Sequence, residues 1–229
     1  VAHLIQDHSS RGSAHRFKTV SYDYDLISAK VNQVSYQEGQ WDAFYHRYQY
    51  DADNRLSKVM TSLDGRSWKQ DVGYKYYKHG PLARENIGDR DSIVQMREYA
   101  YTLQGWLKGI NLRDTSNQLR TVGQSISYYS RDYIPIRTIT NPLQLNTAPS
   151  DALYNGNIAG ITYLNKGLRF FDANLNAVSR YRYQYDQLQR LKTASLNNIQ
   201  DAAYAMSLSY DPNGNILQLN RNAAFKNGS

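Results

Sequence analysis

Three side chains in residues 51–54, those of Asp51, Asp53 and Asn54, carry the kind of oxygen atom that a calcium-binding loop uses. A complete loop also needs a glycine at its sixth position and a distant bidentate glutamate. The sixth residue here is Leu56. Because Asp and Asn also favour turns through bonds to their own backbone, the stretch predicts a hairpin turn. Neither a metal ion nor a cofactor is predicted.

Paired carboxylates could instead hydrolyse glycosides. The nearest acidic groups are Glu38 with Asp42, and Glu85 with Asp89 and Asp91. They lie in hydrophilic connecting segments, where solvated acids are the rule. The five histidines show no Ser/His/Asp spacing that would indicate a nucleophilic triad. The sequence therefore predicts no enzyme.

Aromatic side chains could stack on sugar rings, because their flat apolar faces carry polar edges. The chain has 21 tyrosines and three tryptophans, Trp41, Trp68 and Trp106. Packing between neighbouring strands is the other explanation. It is favoured because the tyrosines follow a repeat along the chain and form no local cluster.

The tyrosine pattern indicates strands that end in turns. In the stretch YRYQYD, Tyr181, Tyr183 and Tyr185 occupy alternate positions and therefore share one face of an extended chain. Asp186 follows directly and can accept backbone N–H bonds at the start of a turn.

The same unit occurs at Tyr50-Asp51 and at Tyr210-Asp211, where DPNGN fits a type I turn with a left-handed glycine. Asn54 takes the place of that glycine in one copy, and Gln189 fits it less well in another. Two degenerate copies carry Tyr77 and Thr102 in the Asp position. The predicted anchor and turn residues are Tyr24, Asp25, Tyr50, Asp51, Asn54, Tyr76, Gly80, Tyr101, Gly105, Tyr185, Asp186, Tyr210, Asp211 and Gly214.

The spacing of these units divides the chain. Steps of 26, 26 and 25 residues separate the first four anchor tyrosines, and 25 residues separate the last two. A fixed step marks a repeat array. The predicted organisation is an incoming linker or irregular strand over 1–15, hairpins over 16–110, an insertion or long loop over 111–157, and hairpins over 158–229. A short helix near 112–120 and a degenerate copy at 170–178 are further expectations.

Composition narrows the function classes. The net charge of +7 is spread without a basic run longer than two residues, which favours a solvated basic face over nucleic-acid binding. The absence of cysteine leaves stability to strand pairing and packing. No stretch approaches the roughly 20 apolar residues of a membrane-spanning helix. The opening VAHLIQ has no signal-peptide pattern and is typical of mid-strand sequence, so we expect the chain to belong to a longer polypeptide.

The unit Tyr-x-Tyr-Asp, three variable residues and Arg-Leu resembles the YD repeat of the RHS (rearrangement hotspot) family. The residues that carry the resemblance are YQYDADNRL at 48–56, YQYDQLQRL at 183–191 and the variant YDPNGNI at 210–216. The resemblance extends from about residue 20 to residue 222 and is weakest across 111–157.

The resemblance implies a fold and a role. RHS chains wind repeated antiparallel β-hairpins into a continuous curved sheet, and that sheet forms a hollow cocoon. In large secreted bacterial members the cocoon encloses a C-terminal toxin or effector. The expected fold is therefore all-β, as part of such a cocoon, and the expected location is extracellular or at the cell surface.

Expected partners follow from the same resemblance. They are neighbouring repeats of the same longer chain and the enclosed segment, with glycans or secretion-system components as further candidates. The alternative function is a carbohydrate-binding or adhesive module. The self-cleaving core motif that follows the family's repeats has no counterpart in the sequence, so no proteolytic residue is carried over.

Overall fold

A computed structural model describes residues 3–8, 17–112, 120–135, 153–165, 178–196 and 204–222. These residues form fifteen β-strands and no helix. The predicted all-β class, built from repeated antiparallel hairpins, is confirmed. Among the described residues, none lies in a helix that could cross a membrane.

The chain divides into two compact units, Val1–Met96 and Arg97–Ser229. The strands of the first unit are β1 (His3–Asp7), β2 (Phe17–Tyr24), β3 (Val31–Tyr36), β4 (Phe44–Tyr50), β5 (Leu56–Ser62), β6 (Lys69–Tyr76) and β7 (Leu82–Asp89). Strand β8 (Ser92–Tyr101) runs across the boundary in the sequence. Those of the second unit are β9 (Leu107–Ile110), β10 (Val122–Ser127), β11 (Gly160–Asn165), β12 (Val178–Tyr185), β13 (Leu191–Leu196), β14 (Met206–Tyr210) and β15 (Ile216–Arg221).

Strand pairing is sequential within each unit. From β1 to β7, and again from β9 to β15, every strand pairs antiparallel with the strand before it and the strand after it. Alternating side chains explain why these segments become strands, since Tyr, Val and Ile pack well on a pleated surface. Each unit is therefore a meander in which strand pairing joins neighbours in the sequence.

The structure departs from the expected boundaries at two places. Residues 3–7, within the expected linker or irregular strand at 1–15, form a regular strand that pairs with β2. The range 111–157 is not one loop, because it contains β10, which pairs with both β9 and β11. The sequence VGQSIS lacks the tyrosine row of the other strands, yet Gly123, Ser125 and Ile126 are buried. Residues 113–119, of the expected helix, and 166–177, which include most of the degenerate copy at 170–178, lie outside the described part of the chain.

Close backbone packing in the second unit depends on Gly109 of β9. A Cβ atom added there would lie 2.2 Å from the Gln124 carbonyl oxygen and 2.6 Å from Leu112 Cδ2. Both distances are far below van der Waals contact, and the first obstacle is backbone that cannot move aside. A side chain at this position would therefore separate β9 from β10.

We expect Gly109→Ala to destabilise the protein by about 1–3 kcal/mol, as overpacking of a well-packed site does. Gly73→Ala in β6 is the matched control, because its added Cβ would meet only the flexible end of Gln70, at 3.1 Å. Thermal unfolding followed by circular dichroism measures both variants. Equal midpoints for the two would contradict the proposed packing at Gly109.

Candidate functional site

The repeat turns share one backbone frame. In the turn that starts at Asp51, the Asp51 N–H donates to the Arg55 carbonyl at 2.8 Å and the Asn54 N–H donates to the Asp51 carbonyl at 3.0 Å. The turns that start at Tyr77, Thr102, Asp186 and Asp211 have the same pair of bonds, at 2.8–3.1 Å. The residue preceding each start position is the anchor tyrosine, and the strand register shifts there.

The fourth residue of each turn has a left-handed backbone. Gly80, Gly105 and Gly214 adopt φ values of 118°, 87° and 90°. Asn54 adopts 61° and Gln189 adopts 64°. Gln189 has a β-carbon that makes this region costly, and its side chain accepts hydrogen bonds from the Asn155 and Asn157 amides. Gln189 therefore combines a backbone angle that is unfavourable for a residue with a β-carbon and two side-chain bonds to the turn at 155–157.

The turn after Tyr24 is one residue longer. The Ala29 N–H, not that of Ser28, donates to the Asp25 carbonyl, and Ala29 has the left-handed φ of 56°. The Asp25 carboxylate accepts bonds from the Ile27 N–H at 3.1 Å and from the Ser28 N–H at 2.6 Å. Bonds from the Ser28 backbone come first in holding the pKa of Asp25 below its usual value.

The aspartate carboxylates accept hydrogen bonds from N–H groups of their turns that have no backbone acceptor within the turn. Asp51 Oδ1 accepts from the N–H groups of Asp53 and Arg55, at 3.0 and 2.9 Å. Asp186 Oδ1 does the same with Leu188 and Arg190, both at 2.9 Å.

The second carboxylate oxygen of each of these residues accepts from a side chain. Asp51 Oδ2 takes Arg55 Nε at 2.8 Å, Asp186 Oδ2 takes Arg190 Nε at 2.7 Å, and Asp211 Oδ2 takes the Asn215 amide at 2.8 Å. The side-chain bond from Arg55 is the leading cause that lowers the pKa of Asp51, and the backbone bond from Arg190 leads for Asp186. The Asn215 side chain leads in lowering the pKa of Asp211.

The anchor tyrosines connect successive hairpins through their hydroxyl groups. In five cases the hydroxyl donates to a carbonyl at the start of the strand that leaves the preceding repeat turn, or two residues before that start. These bonds join Tyr50 to Val31 at 2.8 Å, Tyr76 to Leu56 at 2.8 Å, Tyr128 to Leu107 at 3.0 Å, Tyr185 to Ile158 at 3.0 Å and Tyr210 to Leu191 at 2.8 Å. Burial raises the pKa of Tyr50, Tyr76, Tyr128 and Tyr185. The hydroxyls of these four tyrosines therefore remain neutral donors at ordinary pH.

A cation from the preceding turn covers the anchor ring at three of these junctions. Lys30 lies 5.5 Å from the Tyr50 centroid, and the guanidinium carbons of Arg55 and Arg190 lie 4.6 Å from the rings of Tyr76 and Tyr210. Such contacts contribute roughly 0.5–1 kcal/mol at exposed sites. The arginines also bind the carboxylates of their own turns, so a single side chain links two consecutive repeats.

The structure adds a turn that sequence reasoning missed. Tyr128 is buried and occupies the anchor position, and the Leu153 N–H donates to its carbonyl at 2.9 Å. Ser127 pairs with Gly160, which is the same offset across the turn that pairs Gln49 with Lys58. The repeat therefore continues through the region expected to be an insertion, and the extra residues lie between Tyr128 and Leu153.

The sequence does carry a signal for this turn. YNGNI at 154–158 copies the NGNI of 213–216, and Gly156 has a φ of 90°. Residues 154–158 were not recognised as part of a repeat turn because a long stretch of sequence separates them from the anchor residue Tyr128.

A buried ion pair supports the same turn. Lys108 Nζ donates to Asp132 Oδ1 and Oδ2 at 2.8 and 2.9 Å and to the Ile126 carbonyl at 2.5 Å. Asp132 Oδ2 also accepts the Tyr128 N–H at 2.9 Å. Burial lowers the pKa of Lys108, and Asp132 opposes that effect. The pair has its polar atoms satisfied inside the second unit, as a buried charge requires.

Three of the acidic groups weighed for other chemistry are paired with positive charges. Both Asp51 and Asp53 contact Arg55, at 2.7 and 2.8 Å, so a guanidinium occupies the place that a cation would need. Asp42 binds Lys18 at 2.6 Å. The described part of the chain contains no cluster of three or more His, Asp or Glu side chains suited to a metal ion.

Two of the three tryptophans use their faces within the protein. The Arg47 guanidinium lies 3.8 Å from the Trp68 ring, and Trp106 packs against Tyr128 with 5.0 Å between ring centroids. Trp41 is 85% exposed. The tryptophans therefore do not form a shared platform for a sugar.

Several solved structures share this fold. Those described as TcdB2-TccC3, TcdB2-TccC3-Cdc42 and TcdB2-TccC3 without the hypervariable C-terminal region match with TM-scores of 0.63, 0.62 and 0.61. Their sequence identities to the chain are 19%, 18% and 20%. Each match covers 90% of this chain and 9% of the other. No protein-family model and no curated protein matches the chain.

The chain has an RHS-like β fold. The turn frame recurs in five hairpins of this fold, and five anchor hydroxyl bonds join neighbouring hairpins.

We expect Tyr185→Phe to destabilise the protein by about 0.5–1.5 kcal/mol, because the Ile158 carbonyl would lose its donor while the ring stays in place. Tyr154→Phe is the matched control, since Tyr154 is 72% exposed and stacks on Tyr129 through its ring. Chemical denaturation measures both. If the two substitutions had the same small effect, the Tyr185 hydroxyl would carry no structural role.

The turn carboxylates predict a loss of stability in acid. Their folded pKa values lie below the unfolded value of about 3.9, so their contribution is complete above that pH and is lost as the pH falls through the folded values. The triple variant D51N/D186N/D211N should therefore show a smaller drop in melting temperature between about pH 5 and pH 3. Asp71→Asn, outside the turns, is the control and should keep the normal drop.

Proposed function

We propose that residues 1–229 form a segment of an RHS-type β-shell that encloses or carries a C-terminal toxin or effector of a large secreted bacterial protein. The proposed location is outside the cell or at the cell surface. The proposed role is structural and non-enzymatic. The partners are neighbouring repeats of the same polypeptide and the enclosed segment.

The observation that carries this proposal is the coupling of one hairpin to the next. Five anchor hydroxyls bond to the preceding repeat, and Arg190 Nη1 also donates to the Asp211 carbonyl of the following repeat, at 3.0 Å. Such coupling lets a sheet grow by one hairpin at a time without a separate core for each. A sheet of that kind is suited to forming a wall.

The burial pattern supports a wall as well. Few side chains are fully buried, and most residues of the strands β2–β8 are half-exposed. The outermost strands β1 and β15 are exposed along their whole length, with Ile216 and Leu217 of β15 57% and 69% exposed. Exposed strands of this kind pair readily with further strands. Additional repeats on either side would cover them.

An adhesive or carbohydrate-binding module is the weaker candidate. It would need the aromatic faces that the fold uses internally at Trp68 and Trp106, which leaves Trp41 as the exposed tryptophan face. The regular spacing of the tyrosines is explained by their bonds to neighbouring repeats, so it does not require a ligand.

Protease protection in the natural polypeptide that contains residues 1–229 tests the shell role. We expect a segment outside the repeats to exchange its amide hydrogens as an unfolded chain does and yet to resist an added protease. Tyr76→Phe combined with Tyr210→Phe should loosen two junctions and increase its cleavage, whereas Tyr154→Phe should not.

Two results would contradict the shell. One is cleavage of every segment outside the repeats as fast as that of a free peptide. The other is a protected segment that is itself stably folded, because protection would then need no enclosing wall.

A further inference from the structure

Two tyrosine rings stack on each other at the interrupted turn of the second unit. The ring centroids of Tyr129 and Tyr154 are 4.6 Å apart, and the ring planes meet at 30°. In another tyrosine pair of the same unit, Tyr163 and Tyr181, the centroids are 6.4 Å apart and the planes meet at 77°. Aromatic pairs have centroids roughly 4.5–7 Å apart. The Tyr129–Tyr154 pair therefore lies at the short end of that range.

Backbone hydrogen bonds hold these two rings side by side. The Leu153 N–H donates to the Tyr128 carbonyl at 2.9 Å, which joins the residues that directly precede Tyr154 and Tyr129. The Asp132 N–H donates to the Tyr129 carbonyl at 3.3 Å. Both ring-bearing residues lie in turn segments outside the strands. A small movement of either ring is therefore compatible with intact strand pairing.

The Tyr129 hydroxyl has a partner that suits one-electron oxidation. The Gln104 side-chain amide donates to its oxygen at 2.8 Å, so this bond does not use the phenolic hydrogen. When that hydrogen is removed, the oxygen is still an acceptor, and the amide continues to donate to it. Tyr154 is 72% exposed and Tyr129 is half-buried. An oxidant in solution can therefore reach the pair.

The composition leaves tyrosine as the residue for an oxidative cross-link. The chain has 21 tyrosines and no cysteine, so a disulfide cannot close the long stretch of sequence between Tyr129 and Tyr154. A bond between the two rings would close it at the point where the two halves of the turn meet.

We propose that Tyr129 and Tyr154 are a modification site at which oxidation joins the two rings as dityrosine. A peroxidase-type oxidant formed with hydrogen peroxide removes one hydrogen atom from each phenol. The two phenoxyl radicals couple through a carbon ortho to each oxygen, and each ortho hydrogen then moves to its oxygen as a proton, which restores both phenols. In total one C–C bond forms, the protein loses two hydrogen atoms, and one hydrogen peroxide is reduced to two waters.

The cross-link would hold the interrupted turn closed. Covalent closure of a loop stabilises a fold because it lowers the entropy of the unfolded chain. The site does not depend on the shell role, since it is built from one turn of the second unit.

The test treats the whole chain, at low protein concentration, with a peroxidase and limiting hydrogen peroxide. Mass spectrometry of the protease digest then identifies the joined peptides. We expect the Tyr129–Tyr154 product to exceed the Tyr163–Tyr181 product at least about tenfold, because contact gives a high effective concentration. The cross-linked chain should melt at least about 3 °C higher than the untreated chain.

Variants and unfolding locate the reaction. Tyr154→Phe should abolish the product and the rise in melting temperature, whereas Tyr163→Phe should leave both unchanged. Gln104→Leu should lower the yield, because the Tyr129 oxygen loses its donor. In urea the unfolded chain should give at least about tenfold less of the product, because the rings are then no longer held in contact.

Four results would overturn the proposal. They are the absence of the Tyr129–Tyr154 product, an equal yield of it from the folded and the unfolded chain, cross-links between separate chains only, and equal melting temperatures before and after the cross-link forms. Melting curves of the untreated variants verify that each one folds.

Discussion

The hydrogen bond from an anchor tyrosine to the preceding hairpin is the interaction on which this structure depends. A two-stranded hairpin alone is marginally stable in water, and the described chain has few fully buried apolar residues. Strand pairing supplies most of the contact between hairpins, but pairing by itself tolerates slippage where a sheet has no strongly buried face. The tyrosine bond removes this freedom, because its length of 2.8–3.0 Å is met in one register. At three junctions a cation also lies over the anchor ring, and at two of them that cation binds the carboxylate of its own turn.

The second unit shows that the junction tolerates a large change in the chain. The turn after Tyr128 is interrupted before Leu153, yet the strands on either side keep the register of the uninterrupted repeats. The Lys108–Asp132 pair lies beside this turn, and its carboxylate binds the N–H of the anchor residue itself. A buried pair is weak evidence for added stability but is costly to break. Its position indicates that it fixes the path of the chain where the turn's own carboxylate is missing.

Local features were readable from the sequence, and contacts between repeats were not. Asp51, Asp186 and Gly214 act through bonds and backbone angles within four residues, so their types and spacing alone indicated where hairpins turn. The acceptor of the Tyr185 hydroxyl is 27 residues away in the chain, and identifying it requires the lateral offset between hairpins. Strand β10 was missed because its small buried residues resemble loop composition.

A double-mutant cycle between Arg190 and Tyr210 tests the coupling of repeats most directly. The free energy of unfolding would be measured for the chain, for Arg190→Gln, for Tyr210→Phe and for the double variant, with the distant pair Arg190 and Tyr50 as reference. Repeats joined through these side chains predict a coupling energy of about 0.5–3 kcal/mol between Arg190 and Tyr210 and additivity for the reference pair. Additive effects at Arg190 and Tyr210 would show that neighbouring hairpins are held by backbone pairing alone and would contradict the account.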